Sequence, residues 1–189
     1  MNGWVAADPV AVGAIVGALA LILFAAAWHK FSEPDVFAGA LQAYQLLPAA
    51  AVDPVARILP WLEAGIGVAM LVPATRDPAL LAFAALILGY AAAMAINLLR
   101  GRRQIDCGCG GEVHPLSWGL LLRNGVLAVA ALAVAGPAIE RDFEWLDGVT
   151  LVIGVLAFYA MYLLFDELLR QFSRIAQLRA AENQELEAK

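Results

Sequence analysis

Between Val10 and Trp28 the chain carries no charged side chain, and the same holds from Ala79 to Leu99 and from Gly148 to Phe165. A helix rises about 1.5 Å per residue and satisfies its own backbone hydrogen bonds, so runs of this length match the ~30 Å of hydrocarbon in a bilayer. Composition agrees with that reading. Of the 189 residues 62% are hydrophobic and 15% charged, with a mean hydropathy of +0.76, whereas soluble domains sit near roughly 45 to 50% apolar and 25% charged.

Two less clean stretches complete the pattern. The one from about Val55 to Pro73 holds Arg57, Pro60 and Glu63, and Pro60 is expected to bend its first turns. The one from Ser117 to Pro137 holds Arg123 and Asn124. The predicted fold is therefore all-α, a polytopic membrane helix bundle over residues 1–166 with spans at about 10–28, 55–73, 79–99, 117–137 and 148–165. Residues 167–189 lack Gly and Pro and continue as a helical C-terminal tail. No room remains for a separate catalytic domain. The first span is expected to be retained, because no Lys or Arg precedes it and its apolar part exceeds the ~7 to 15 residues of a signal peptide. Gly13 and Gly17, spaced as GxxxG, would let another helix approach closely. Ser32-Glu33-Pro34-Asp35 predicts a helix start with Ser32 as its cap, leading into Val36, Phe37, Ala40, Leu41, Tyr44 and Leu47 and ending at Pro48. Such a helix would lie at the membrane surface or cap the bundle.

Net charge is -5, with 12 Lys+Arg against 17 Asp+Glu, which supplies no basic field for nucleic acid. With five spans, all the Lys and Arg residues except Arg76 and Arg141 fall on the face that holds the loop after the third span and the C-terminal tail. The positive-inside rule then places the N-terminus outside and the C-terminus in the cytoplasm of a cell-membrane protein.

Both cysteines lie in the loop between the third and fourth spans, in Asp106-Cys107-Gly108-Cys109-Gly110-Gly111. The glycines oppose a regular helix and let the backbone bring the two sulfurs together. A disulfide across one residue departs from relaxed geometry, which suits it to exchange rather than to stapling. The candidate activity is that of a membrane thiol-disulfide oxidoreductase, with Cys107 and Cys109 as its reactive pair. Arg102 and Arg103 favour a thiolate and Asp106 opposes it. The same two sulfurs with His114 form an alternative soft-metal site for Cu(I) or Zn(II). A third alternative is a scaffold that holds a maturation complex together without chemistry. The sequence carries no quinone or haem motif.

Charge inside the spans is the second signal. Glu63 lies six residues past Arg57 and Arg123 six past Ser117, so counting from a shared face puts both about 9 Å deep. A lone charge there costs ~2.5 to 3.5 kcal/mol on insertion scales, so the two are expected to pair. Asn97, Asn124 and Asp106 lie toward the same end, and with Glu63 and Arg123 they are expected to form a polar pocket beneath the cysteine loop.

The series His29-Lys30-Phe31, Tyr44-Gln-Leu-Leu-Pro48, Pro60-Trp-Leu-Glu63 with Gly65 and Gly67, Asn97-Leu-Leu-Arg100-Gly101, Asp106-Cys-Gly-Cys-Gly110 and Arg123-Asn124 resembles the methylamine-utilisation MauE family, a branch of the DoxX-like membrane proteins. The resemblance covers roughly residues 10 to 137. It implies a DoxX-like four-helix core, here with a fifth span, embedded in membrane lipid. It also implies a role in maturing the disulfide-rich small subunit of methylamine dehydrogenase, together with a thioredoxin-like periplasmic partner. On that point the resemblance and the charge count place the cysteine loop on opposite sides.

Overall fold

The structure, a computed structural model, describes residues 8–102, 105–108, 115–136, 139 and 142–187; of Ser173 and residues 176–187 it describes the backbone alone. Among the described residues the chain forms six helices: α1 (Pro9–Ser32), α2 (Pro34–Tyr44), α3 (Ala49–Leu71), α4 (Arg76–Leu99), α5 (Trp118–Val134) and α6 (Trp145–Glu187). Helix α1 starts where Asp8 accepts hydrogen bonds from the amides of Val10 at 2.8 Å and Ala11 at 3.4 Å, with Pro9 as the first helical residue. It is the central helix. Val12, Val16, Leu19 and Leu23 join Met70 of α3, Leu80 and Phe83 of α4, and Ala128 and Ala131 of α5 in one buried cluster.

Helix α1 meets α6 through small residues. A methyl group placed on Gly17 would lie 2.6 Å from Val155 Cγ2, and one on Gly154 would lie 2.9 Å from Ala14 Cβ. Lipid tails are as apolar as Leu, so helices in a bilayer gain by packing closely rather than by leaving the solvent. The remaining faces of α6, with Val152, Ile153, Leu156 and Leu164, are exposed, as suits contact with lipid. Helices α1, α3, α4 and the Trp145–Phe172 part of α6 are long and apolar enough to cross a membrane. Helix α5, at 17 residues, is shorter than the span expected at 117–137, yet it joins the same two ends of the bundle. Its Gly119 lies against Leu169 of α6, and beyond its other end Gly136 O accepts a 2.8 Å hydrogen bond from Arg76 at the start of α4. The protein is a multi-pass helical membrane protein.

Three boundaries differ from those expected. Ser32 does not cap α2; it is the last residue of α1, and the break falls at Glu33, whose backbone leaves helical geometry at φ -132°, ψ 62°. The cause is Pro34, whose ring disfavours helical geometry in the residue before it. Helix α2 ends earlier than Pro48, at Tyr44, where Gln45 turns left-handed at φ 51°. Helix α3 begins at Ala49 rather than near Val55 and contains both Pro54 and Pro60. Of the expected α2 stripe, Phe37, Ala40 and Tyr44 are buried, while Val36 and Leu47 are exposed. The fifth span and the described part of the tail form the single helix α6.

Candidate functional site

At the end of the bundle where α1 gives way to α2, six helices and the cysteine loop line a cavity of 240 Å³. Its walls are mainly apolar, with Leu23, Phe37, Leu59, Ile87 and Leu127 among them, and its polar groups come from Lys30, Glu63, Tyr90, Arg123 and Asn124. Cys107 and Gly108 bring the loop to the same wall.

Glu63 is fully buried on α3, and its partner is Lys30 of α1. The ammonium donates to Oε1 at 2.8 Å and Oε2 at 3.0 Å, with side-chain exposures of 3% and 0%. Tyr90 of α4 donates its hydroxyl to Glu63 Oε1 at 2.7 Å. The Lys30 ammonium also lies 5.2 Å from the centroid of the Phe37 ring and 5.7 Å from that of Tyr90, where the negative ring faces favour a cation. A buried charge pair holds only if its remaining hydrogen-bonding capacity is met, and these partners meet it.

Arg123 of α5 pairs with Asp166 of α6. Its Nε and one terminal nitrogen donate to Asn124 Oδ1, each at 3.3 Å, and its guanidinium lies 5.7 Å from the Tyr162 ring centroid. Glu63 and Arg123 therefore share one cavity wall without forming the expected pair. Each is neutralised by a residue that sequence reasoning did not assign as its partner. By its position in the sequence Lys30 belongs to the positive charges of the loop-side face, and Asp166 lies just past the apolar run of α6. Asp166 also forms an ion pair at 3.7 Å with Arg170, four residues on along α6.

The loop is shaped at its neck. Asp106 and Pro115 form an isolated antiparallel bridge, and Leu116 N donates to Ile105 O at 3.2 Å. Asp106 Oδ1 accepts from Gly108 N at 3.2 Å, and Gly108 takes φ +69°, a conformation that favours glycine. Tyr44 of α2 donates its hydroxyl to Cys107 O at 3.1 Å, so the loop is tied to the helix it lies on. Cys107 is half-buried. Cys109 and His114 lie outside the described residues, and with them the Cys107–Cys109 bond and the alternative metal site.

The expected pocket residues thus divide by position. Glu63, Arg123 and Asn124 line the cavity with Cys107. Asn97 is buried at the end of α4, where its Oδ1 accepts from Arg102 at 3.4 Å and its amide donates to Ala93 O at 3.2 Å. Asn97 and Asp106 build the two ends of the loop rather than the cavity wall. His29, next to Lys30, is exposed.

No solved structure matches the chain. The family model described as methylamine utilisation protein MauE matches residues 8–136, which hold the cavity wall from α1 to α5 and the cysteine loop. A methylamine utilization protein MauE from Paracoccus denitrificans is 46% identical over 130 residues, 68% of this chain and 70% of the relative. One from Methylorubrum extorquens is 39% identical over 131 residues, with the same two shares of 68% and 70%. One from Paracoccus versutus is 36% identical over 162 residues, 84% of this chain and 85% of the relative, a match that extends beyond the family model. On these matches the chain belongs to the MauE family of methylamine utilisation proteins.

Proposed function

We propose that the protein is a cell-membrane factor of methylamine utilisation that matures the methylamine dehydrogenase small subunit by thiol-disulfide exchange at Cys107 and Cys109, working with a thioredoxin-like partner. The observation that carries this reading is the placement of Cys107. It sits on a loop turned at Gly108, tied to Tyr44 and set in the wall of a mainly apolar cavity, which is more construction than an inert surface thiol needs. Family membership supports the pathway, since the relatives are named for methylamine utilisation.

The exchange balances without any further reagent. A thiolate of the partner attacks the Cys107–Cys109 disulfide and forms a mixed disulfide; the partner's second thiol then displaces the loop. Two electrons and two protons pass to the loop, and the partner leaves as a disulfide. The reverse reaction uses the same atoms. Structural disulfides are made outside the reducing cytosol, so this function places the loop on the extracytoplasmic face, against the charge count.

The test is trapping. Cys107→Ser or Cys109→Ser leaves one thiol without its resolving neighbour, and one of the two variants should accumulate a reductant-sensitive adduct with a thioredoxin-like protein. The double serine variant should form none and leave the dehydrogenase small subunit unmatured. Normal maturation with the double variant would overturn the proposal.

A further inference from the structure

The charged groups in the cavity wall are already partnered. The three N–H donors of the Lys30 ammonium meet Glu63 Oε1 at 2.8 Å, Glu63 Oε2 at 3.0 Å and, more weakly, Ala26 O at 3.4 Å. The Tyr90 hydroxyl donates to the same carboxylate, and Arg123 is held by Asp166 and Asn124. What the wall offers an occupant is therefore carbon, from Leu23, Phe37, Leu59, Ile87 and Leu127. An ordered water needs two to four polar partners, and apolar cavities that lack them stay dry and take up apolar molecules instead. For a helical bundle in a bilayer the surrounding solvent is itself hydrocarbon, so the apolar matter at hand is lipid.

Size and access agree with that occupant. An apolar cavity of roughly 150 Å³ accepts the six carbons of benzene, and in the same proportion 240 Å³ holds roughly nine, a long segment of one acyl chain. Leu46 and Leu47, just past the end of α2, belong to the wall and are also exposed, so the cavity opens there. Leu59 of α3 lines the cavity while Ile58 and Leu62 are exposed, so one helix carries both the cavity wall and an apolar outer surface. We infer that the cavity binds one acyl chain of a membrane lipid, entering past Leu46 and Leu47 with the headgroup left at the surface. Phe37 and Ala40 lie against Gly108, and all three line the cavity with Cys107, so the bound chain lies beneath the seat of the cysteine loop. The site needs no thiol chemistry and is independent of the exchange proposed above.

The test is photolabelling of the full-length protein in phosphatidylcholine nanodiscs that contain a phosphatidylcholine with a diazirine near the end of one acyl chain, with adducts mapped by mass spectrometry. Ile58, Leu62, Val152 and Ile153 on the outer surface should take label in every folded variant. The inference expects further adducts at Leu23, Phe37 and Ile87, which line the cavity and are 1%, 7% and 6% exposed. Ala26→Phe and Leu127→Trp each place a ring in the cavity wall. Each should lower the inner adducts roughly tenfold or more, equivalent to ~1.4 kcal/mol of lost binding, while the outer adducts persist and show that the variant is folded. The Cys107→Ser, Cys109→Ser protein should label like the wild type, which separates this site from the exchange reading. Wild-type label confined to the outer residues would overturn the inference. So would inner adducts that stay at the wild-type level in both filled variants.

Discussion

Glu63 draws together α1, α3 and α4, since Lys30 and Tyr90 both donate to it in a place where neither charge meets water. Removing one member of such a pair strands the other, at a cost of ~3 to 5 kcal/mol, whereas replacing both with apolar residues of similar volume is often neutral. Lys30→Met alone should therefore destabilise strongly, and Lys30→Met with Glu63→Leu should recover most of the loss in thermal unfolding of the detergent-solubilised protein. In double-mutant cycles the Lys30–Glu63 coupling should exceed the Glu63–Arg123 coupling; the reverse order would restore the pairing expected from depth. That Glu63 and Arg123 would need buried partners was legible, because ionisable residues inside apolar spans are rare and costly. Their partners were not. The depth count runs from Arg57, but α3 begins at Ala49, so equal counts along two helices do not mean equal heights. Lys30, two residues from the end of α1, stands in the sequence where a charge would reach the membrane surface, but the fold buries it beside Phe37 of α2.

Hydropathy located every long helix, because an apolar run long enough to cross a bilayer has few alternatives to a span. It could not place their ends, which depend on local backbone sterics such as those of Pro34 acting on Glu33. The GxxxG reading of α1 found its counterpart on α6, and the contacts rank the glycines by consequence. Gly13 faces Leu151 Cδ1, the mobile end of a long side chain, at 2.5 Å for an added methyl; Gly17 faces Val155 Cγ2 at 2.6 Å and Gly154 faces Ala14 Cβ at 2.9 Å. Val and Ala have little freedom to move aside. Gly17→Ala and Gly154→Ala should each cost ~1 to 3 kcal/mol through overpacking, and Gly13→Ala clearly less. Val155→Ala should restore the stability lost in Gly17→Ala, measured by the same unfolding assay. A Gly17→Ala defect that Val155→Ala leaves unchanged would mean that the α1–α6 contact is not the source of the loss.

At the scale of the whole molecule the helices alternate between two ends. The loop from α4 to α5, α2 and the later half of α6 gather at one end, where Gly108 meets Ala40 and Gly119 meets Leu169. The bond from Arg76 to Gly136 O closes the other. Cys109 and the C-terminus should therefore report the same side of the membrane. Which side is a contest between two forces of known kind. Positive residues resist translocation, and most of them lie at the loop end. Lys30 and Arg123 are buried in ion pairs within the bundle, which leaves fewer charges at the surface of that end than the sequence count supplies. Disulfide exchange with a periplasmic partner requires the loop outside, and the proposed function predicts that outcome despite the remaining bias. In intact cells an impermeant maleimide should label Cys109 in the Cys107→Ser protein, and a phosphatase fused after Lys189 should be active in the periplasm. Agreement of both probes on the cytoplasmic side would keep the architecture and refute exchange with a periplasmic partner. Disagreement between them would mean that α5, the shortest of the bundle helices, fails to cross.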